Sequence, residues 1–308
     1  MRFTTSIPNS GPLATPKSII ALARQADRLG FAAISASERL VMPRIIASKY
    51  PYGETGAIPG VGTAQNTLEM LALLAFVAAQ TSRIRLLTSV LVLPYRNPLL
   101  AAKMLATIDV LSGGRLIVGC GVGWMREEAA MLGVPSPFEQ RGVVSDEYIQ
   151  AFRTLWSSDN PAFHGEYVNF SEIEFAPRPV QQPHPPFWIG GESPAAIRRV
   201  ARFGTGWMPS GGNPRFPLNT QERLAAAISD LKRQVEDAGR DPSKIAIRFG
   251  GSAWDGSAMG AQRLASDIRG YAEIGVTHMS FSYVGQSLTE SLERMESFMA
   301  EVPPLVDR

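Results

Sequence analysis

The amino-acid sequence predicts an α/β protein, a (β/α)8 TIM barrel with insertions in its βα loops. Three observations carry the prediction. One unit recurs along the chain: an apolar strand, a loop, an amphipathic helix and a closing glycine. The strands are continuous in apolar residues, as parallel strands buried on both faces are. The 308 residues accommodate a barrel of ~250 with insertions. Eight near-equal units favour closure over a doubly wound open sheet, so residues 1–308 read as one barrel domain.

Strands are predicted near 2–7, 31–37, 84–92, 115–120, 187–190, 206–209, 244–250 and 276–283. Helices fall near 15–29, 67–81, 97–112, 139–157, 194–203, 218–238, 262–274 and 287–300. Thr15-Pro16, Asn97-Pro98 and Ser193-Pro194 each offer a capping side chain followed by proline at the first helical position. Gly30, Gly113, Gly204, Gly239 and Gly275 suit the left-handed residue that closes a helix. The stretch 67–81 is apolar on nearly every face, which places it in the core or against a partner. Active sites of such barrels lie where the strands' C-terminal ends meet the βα loops. The long loops 38–66 and 250–261 therefore mark the mouth. The proline- and aromatic-rich stretch 158–186 lies on an αβ connection, below the mouth, and can carry a small hairpin.

Composition removes several classes of function. Thirty basic against 28 acidic residues give a net charge of +2 with no basic run, so neither nucleic acid nor a membrane surface is an expected partner. Cys120 is the sole cysteine, which precludes an intrachain disulfide. The N-terminal stretch is too short and polar for a signal peptide, and no apolar run approaches ~18 residues. A cytoplasmic location is expected. His164, His184 and His278 are scattered without ligand spacing, so no metal is expected. Cys120, in an apolar strand end, reads as inert packing.

Four strand ends carry polar or glycine-rich features. Glu38-Arg39 closes the second strand. Thr88-Ser89 interrupts the third, where polar residues can accompany a bulge or an unusual peptide bond. Gly119, Gly121 and Gly123 alternate with Cys120, Val122 and Trp124 at the end of the fourth. Such glycines serve tight packing, or close approach of the backbone to a flat ligand. Gly190-Gly191 ends the fifth strand just before the helix at Ser193-Pro194, either a plain cap or an anion site made of backbone amides.

Together these features resemble the luciferase-like monooxygenase superfamily, most specifically over 84–128 and 183–209. Within it the chain looks closest to the deazaflavin (coenzyme F420)-dependent oxidoreductases. The resemblance covers nearly the whole chain and implies F420 or FMN bound at the mouth, commonly in a homodimer. It implies a cis peptide at Ser89-Val90, with Val90 pressed behind the cofactor ring. It places Gly121, Val122 and Gly123 near the ring and gives the phosphate to Gly190, Gly191, Glu192 and Ser193. Glu38 would hydrogen-bond the ring's polar edge. Arg39 would steady an anionic ring or a developing oxyanion, and Trp124, with Trp254, would wall the substrate pocket.

Two departures from the family pattern bear on the substrate. Many F420-binding relatives have Asp-His where this chain has Glu38-Arg39, and arginine cannot act as a neutral base. Sugar-phosphate dehydrogenase relatives carry glutamate at the position of Trp124. An apolar or aromatic small-molecule substrate is therefore expected in place of a sugar phosphate. The leading expectation is hydride transfer between C5 of F420 and that substrate. The alternatives are an FMN-dependent monooxygenase served by a separate flavin reductase, and a non-catalytic flavin-binding protein.

Overall fold

The computed structural model describes residues 1–52, 55–56, 67–250, 254 and 258–306, excluding the side chains of 258 and 259. Much of the loops 38–66 and 250–261 thus lies outside the described residues. The strands are β1 (Arg2–Ser6), β2 (Ala33–Ala36), β3 (Arg85–Thr88), β4 (Leu91–Val92), β5 (Leu116–Gly121), β6 (Phe163–His164), β7 (Asn169–Phe170), β8 (Phe187–Gly190), β9 (Gly206–Met208), β10 (Ala246–Gly250) and β11 (His278–Phe281). The α-helices are α1 (Pro16–Leu29), α2 (Met70–Ala78), α3 (Pro98–Ser112), α4 (Arg126–Met131), α5 (Arg141–Ser157), α6 (Pro194–Phe203), α7 (Gln221–Asp237), α8 (Ala258–Glu273), α9 (Leu288–Glu301) and α10 (Pro303–Val306).

Eight parallel strands close a barrel in the order β1, β2, β3, β5, β8, β9, β10, β11, with β11 pairing back to β1. β4 extends β3 after a break and pairs with β5, Leu91 opposite Cys120. Strand alternation separates two apolar layers. Ala33, Leu87, Ile117, Trp188 and Met208 pack together in one cluster, with Val90 and Ala246 against it. Their strand neighbours Ile34, Leu86, Leu116, Val118, Phe187, Ile189 and Trp207 join the larger core beneath the helices. The small cluster is therefore the barrel interior.

Helix starts follow the sequence reading. Thr15 Oγ1 accepts from the Ser18 amide, Asn97 Oδ1 from those of Leu99 and Leu100, and Ser193 Oγ from that of Ala196. The predicted hairpin in 158–186 is the antiparallel pair β6–β7.

Several expectations need correction. The strand expected over 84–92 is broken at Ser89, and a 3-10 turn at Leu93–Tyr95 precedes α3. Gly204 closes α6 with φ −77°, not left-handed. There the glycine makes room instead, because a β-carbon would lie 3.0 Å from Val200 Cα and 3.1 Å from Ile189 Cγ1. The helix expected at 67–81 spans only α2 and leaves Phe76 39% exposed, so it is not covered on all faces within one chain. A short helix, α4, was not anticipated; its side chains prove central to the mouth.

Candidate active site at the barrel mouth

The break in the third strand builds the floor. Thr88 is fully buried, and its hydroxyl donates to the Gly119 carbonyl at 2.9 Å, which satisfies a polar group inside an apolar strand. The Ser89 amide donates to Ala36 at 2.8 Å, the Ser89–Val90 peptide is cis, and the half-buried Val90 packs against the interior cluster. The neighbouring glycines make this possible. A β-carbon on Gly121 would overlap Val90 Cγ2, and one on Gly190 would lie 2.9 Å from Val90 Cγ1. Gly123, at φ +81°, would place one 2.8 Å from Val92 Cγ1. The glycine alternation therefore admits the side chains of Val90 and Val92.

The carboxylates and guanidiniums on the strand-2 side of the mouth pair with one another. The Glu38 side chain is 1% exposed. It accepts from the Val92 amide at 2.5 Å and pairs with Arg96, which also reaches Glu69. Burial pushes the Glu38 carboxyl above its ordinary value, against the opposing pull of Arg96. Arg39 pairs with the buried Glu128 of α4, and its guanidinium lies 5.5 Å from the centre of the Trp124 ring. Glu128 also accepts from the amides of Leu40 (2.9 Å) and Val41 (3.2 Å) and from the Tyr95 hydroxyl (3.2 Å). Burial and this carboxylate push the Tyr95 phenol up. Glu127 accepts from the amides of Ala47 and Ser48 at 2.7 and 3.0 Å. Its carboxyl is held down to about 2 chiefly by the Ser48 side chain. Thus α4 pins the first part of the long loop, whose Tyr50 meets Trp124 edge-on at 5.3 Å and Tyr52 at 5.6 Å.

Two further regions complete the rim. At the β8–α6 turn Gly191 has φ +106°, and its carbonyl accepts from Trp207 Nε1 at 2.8 Å. Glu192 is buried and turns away from the helix end to accept from the Ser210 amide at 2.5 Å and Asn213 at 3.4 Å. Beside Val122 a cavity of about 280 Å3 opens between Tyr95, Arg126, Phe138 and Arg141. Both guanidiniums stack on Phe138, at 4.7 and 4.2 Å.

Trp254 is not a pocket wall: it is buried in the outer core, donates to Ser297 at 2.8 Å and packs edge-on to Phe298. None of the three histidines reaches the rim. His164 lies in the β6–β7 hairpin and His184 packs on Phe187 and Trp156. His278 is buried beside Trp188 inside the barrel, 5.0 Å between ring centres. Burial first, then the charges of Arg2, Arg248 and Arg85, push its imidazole down to about 4. Cys120 is buried and its thiol pushed up.

Sequence reasoning missed Tyr50, Tyr52, Tyr95, Arg96, Glu127, Glu128 and Arg248. The "REE" that opens α4 shortly after the glycines at the end of β5 was a readable signal for the two glutamates. Tyr50, Tyr95, Arg96 and Arg248 depend on contacts across more than 20 residues of chain, and Tyr52 joins them through Tyr50.

The comparisons with known proteins agree with this architecture. The family model described as luciferase-like monooxygenase matches residues 1–286. An uncharacterised protein of Mycobacterium tuberculosis is 34% identical over 221 residues, 72% of each chain. An FMNH2-dependent dimethylsulfone monooxygenase of Pseudomonas putida is 31% identical over 192 residues, 62% of this chain and 49% of that one. A monooxygenase from Streptomyces bottropensis shares the fold with a TM-score of 0.77 at 22% identity, covering 99% of both chains. An F420-dependent secondary alcohol dehydrogenase does so with a TM-score of 0.76 at 16% identity, covering 99% of this chain and 98% of that one. No helix among the described residues is long and apolar enough to cross a membrane. The chain belongs to the luciferase-like monooxygenase family of oxidoreductases.

Proposed function

We propose that this oxidoreductase binds coenzyme F420 across its mouth, with Val90 behind the ring, and works by hydride transfer with a small organic substrate. The observation that carries this reading is Val90 itself, raised on the interior apolar cluster and leaning on Gly121 and Gly190. A half-buried valine with no polar neighbour to satisfy is a platform for a flat ring. When bound, F420 supplies the hydride at C5; orientation and electrostatics are the protein's part.

The surrounding residues fit such a group. The ten-residue helix α6 presents its N-terminus beside Gly191 and Ser193, a setting for a phosphate. The Arg126–Phe138–Arg141 cavity beside Val122 suits an anionic tail. Trp124, Tyr50 and Tyr52 form an aromatic wall for the substrate. Glu38 serves here as the anchor for Arg96 and β4, not as a ligand to the ring edge. Arg39, held by Glu128, positions Trp124. The exposed apolar residues Phe76 of α2 and Leu100 and Leu111 of α3 suit a homodimer contact. A cytoplasmic, one-domain enzyme completes the reading.

A second reading, an FMN-dependent monooxygenase supplied by a separate flavin reductase, is favoured by the 31% identity to the Pseudomonas FMNH2-dependent enzyme. Titrating the apo-protein with F420 and with FMN separates them. Micromolar binding of F420 with FMN much weaker supports hydride transfer. The reverse preference, with oxygen uptake in the presence of FMNH2, replaces it with the second reading.

A further inference from the structure

Arg248 of β10 points into the barrel and hydrogen-bonds only to side-chain hydroxyls, whereas Arg115, Arg141 and Arg240, half-buried and likewise without a carboxylate, bond chiefly to backbone carbonyls. Arg96 and Arg199, with side chains 9% and 7% exposed, are each paired to a carboxylate. Arg248 touches none among the described residues. Nε donates to Thr4 Oγ1 at 3.1 Å, and Nη2 donates to Ser280 Oγ at 2.5 Å and Ser35 Oγ at 3.5 Å. Two of those hydroxyls spend their own protons on the backbone, Thr4 on Met279 (3.4 Å) and Ser35 on Thr5 (3.1 Å). They are therefore free to act as acceptors toward the guanidinium. The cage fixes the cation without neutralising it, and Nη1 has no hydrogen-bond partner among the described residues.

The position is as telling as the partners. Arg248 is the register partner of His278 on β11, which is buried and in ring contact with the buried Trp188. Arg248 and Ser280 are only half-buried, and Gly250, two residues further along β10, is exposed. The free Nη1 is thus the donor left for a ligand entering at the mouth. A cation removed from water without a counter-ion is destabilised, and that cost is offset when an anion arrives to pair with it. Burial accordingly lowers the Arg248 pKa to about 10, which still leaves it charged at neutral pH.

We propose that Arg248 binds a carboxylate-type oxyanion of the substrate at the bottom of the mouth, so that this enzyme acts on organic monoanions whose apolar part lies toward the aromatic wall. This rests on the mouth being the active site and refines the expected apolar or aromatic substrate by adding one negative charge. An arginine held on one side by hydroxyls and open at Nη1 matches a carboxylate oxygen better than a neutral carbonyl, because only the anion adds charge pairing to the hydrogen bond where no counter-ion is present.

The test is calorimetric titration of the purified full-length chain with benzoate and with benzamide, each with and without saturating F420. Benzoate is expected to bind at least tenfold more tightly than its neutral isostere. Arg248→Met should erase that preference and Arg248→Lys should keep part of it. A thermal unfolding midpoint of Arg248→Met close to that of the unsubstituted chain guards against a misfolded Met variant. Equal binding of the two probes to the unsubstituted protein, absence of benzoate binding, or full retention of the preference in Arg248→Met would overturn the proposal. So would an Arg248→Met variant that loses affinity for F420 itself, since the guanidinium would then serve the ring. Failure of the unsubstituted chain to bind either F420 or FMN, with benzoate preference intact, would instead sink the cofactor reading and leave the anion site standing.

Discussion

The two sides of the mouth handle charge in opposite ways. On the strand-2 side Glu38, Arg39, Arg96, Glu127 and Glu128 are matched with one another and with backbone amides. On the β10 side Arg248 hydrogen-bonds only to hydroxyls among the described residues. A closed circuit of charges holds a loop in place; an open cation has its partner elsewhere. The contrast assigns architecture to the first side and recognition to the second, although sequence motifs drew attention only to the first.

Removing one member of the closed circuit should have the largest effect. Glu128→Gln leaves Arg39 without its counter-charge and weakens the acceptor for the Leu40 and Val41 amides. Breaking a buried pair from one side costs about 3–5 kcal/mol. We expect a loss of that order in urea unfolding, with faster hydrogen exchange at Leu40 and Val41. Unchanged stability together with lost cofactor binding would move Glu128 from scaffold to ligand and erase the contrast.

The open side makes its own prediction through pH. His278, the register partner of Arg248, is pushed down to about 4 by burial when folded, whereas an unfolded histidine titrates near 6.5. Between those values the unfolded chain binds the extra proton. Stability is therefore complete above about pH 6.5 and is lost as the pH falls toward 4. Linkage over that span amounts to about 3 kcal/mol, of which about 2 kcal/mol disappears between pH 7 and 5. Denaturant midpoints at the two pH values check this, and His278→Gln should flatten the dependence. A slope unchanged by that substitution would mean that other groups control the acid limb.

Val90 can be tested by packing. Gly121→Ala sets a β-carbon against Val90 Cγ2, and overpacking of this kind costs about 1–3 kcal/mol. Val90→Ala in the same chain should recover most of the stability but not the affinity for F420. A double-mutant cycle reads the coupling directly. Additive effects would show that the glycine serves something other than room for Val90.

How much of this was legible beforehand follows from the range of the interactions. The barrel was, because strand continuity, Asn97-Pro98 and Ser193-Pro194 caps and closing glycines are local signals. The interruption at Thr88-Ser89 was noticed, and the structure answers it with a hydrogen bond to Gly119 and a raised Val90. The roles of Glu38 and Arg39 were not legible, since their partners Arg96 and Glu128 lie 58 and 89 residues away. Arg248 gave no signal at all: an arginine between Ile247 and Phe249 in a strand reads as a solvent-facing residue until closure of the barrel turns that face inward.

The smallest effect is expected at Cys120, between Gly119 and Gly121 but on the opposite face of β5. Its side chain belongs to the outer core, so it shares a strand with the mouth without sharing its space. Cys120→Ala should shift stability by the little that a small buried side chain contributes and leave cofactor binding and turnover intact. Burial pushes the thiol up and away from the reactive thiolate. Alkylation by iodoacetamide should therefore proceed only as fast as the chain unfolds, and its rate should rise with urea in step with the loss of structure. Labelling in the native state that also abolished F420 binding would place Cys120 at the mouth. The separation of inner and outer faces on which the comparison depends would then fail at β5.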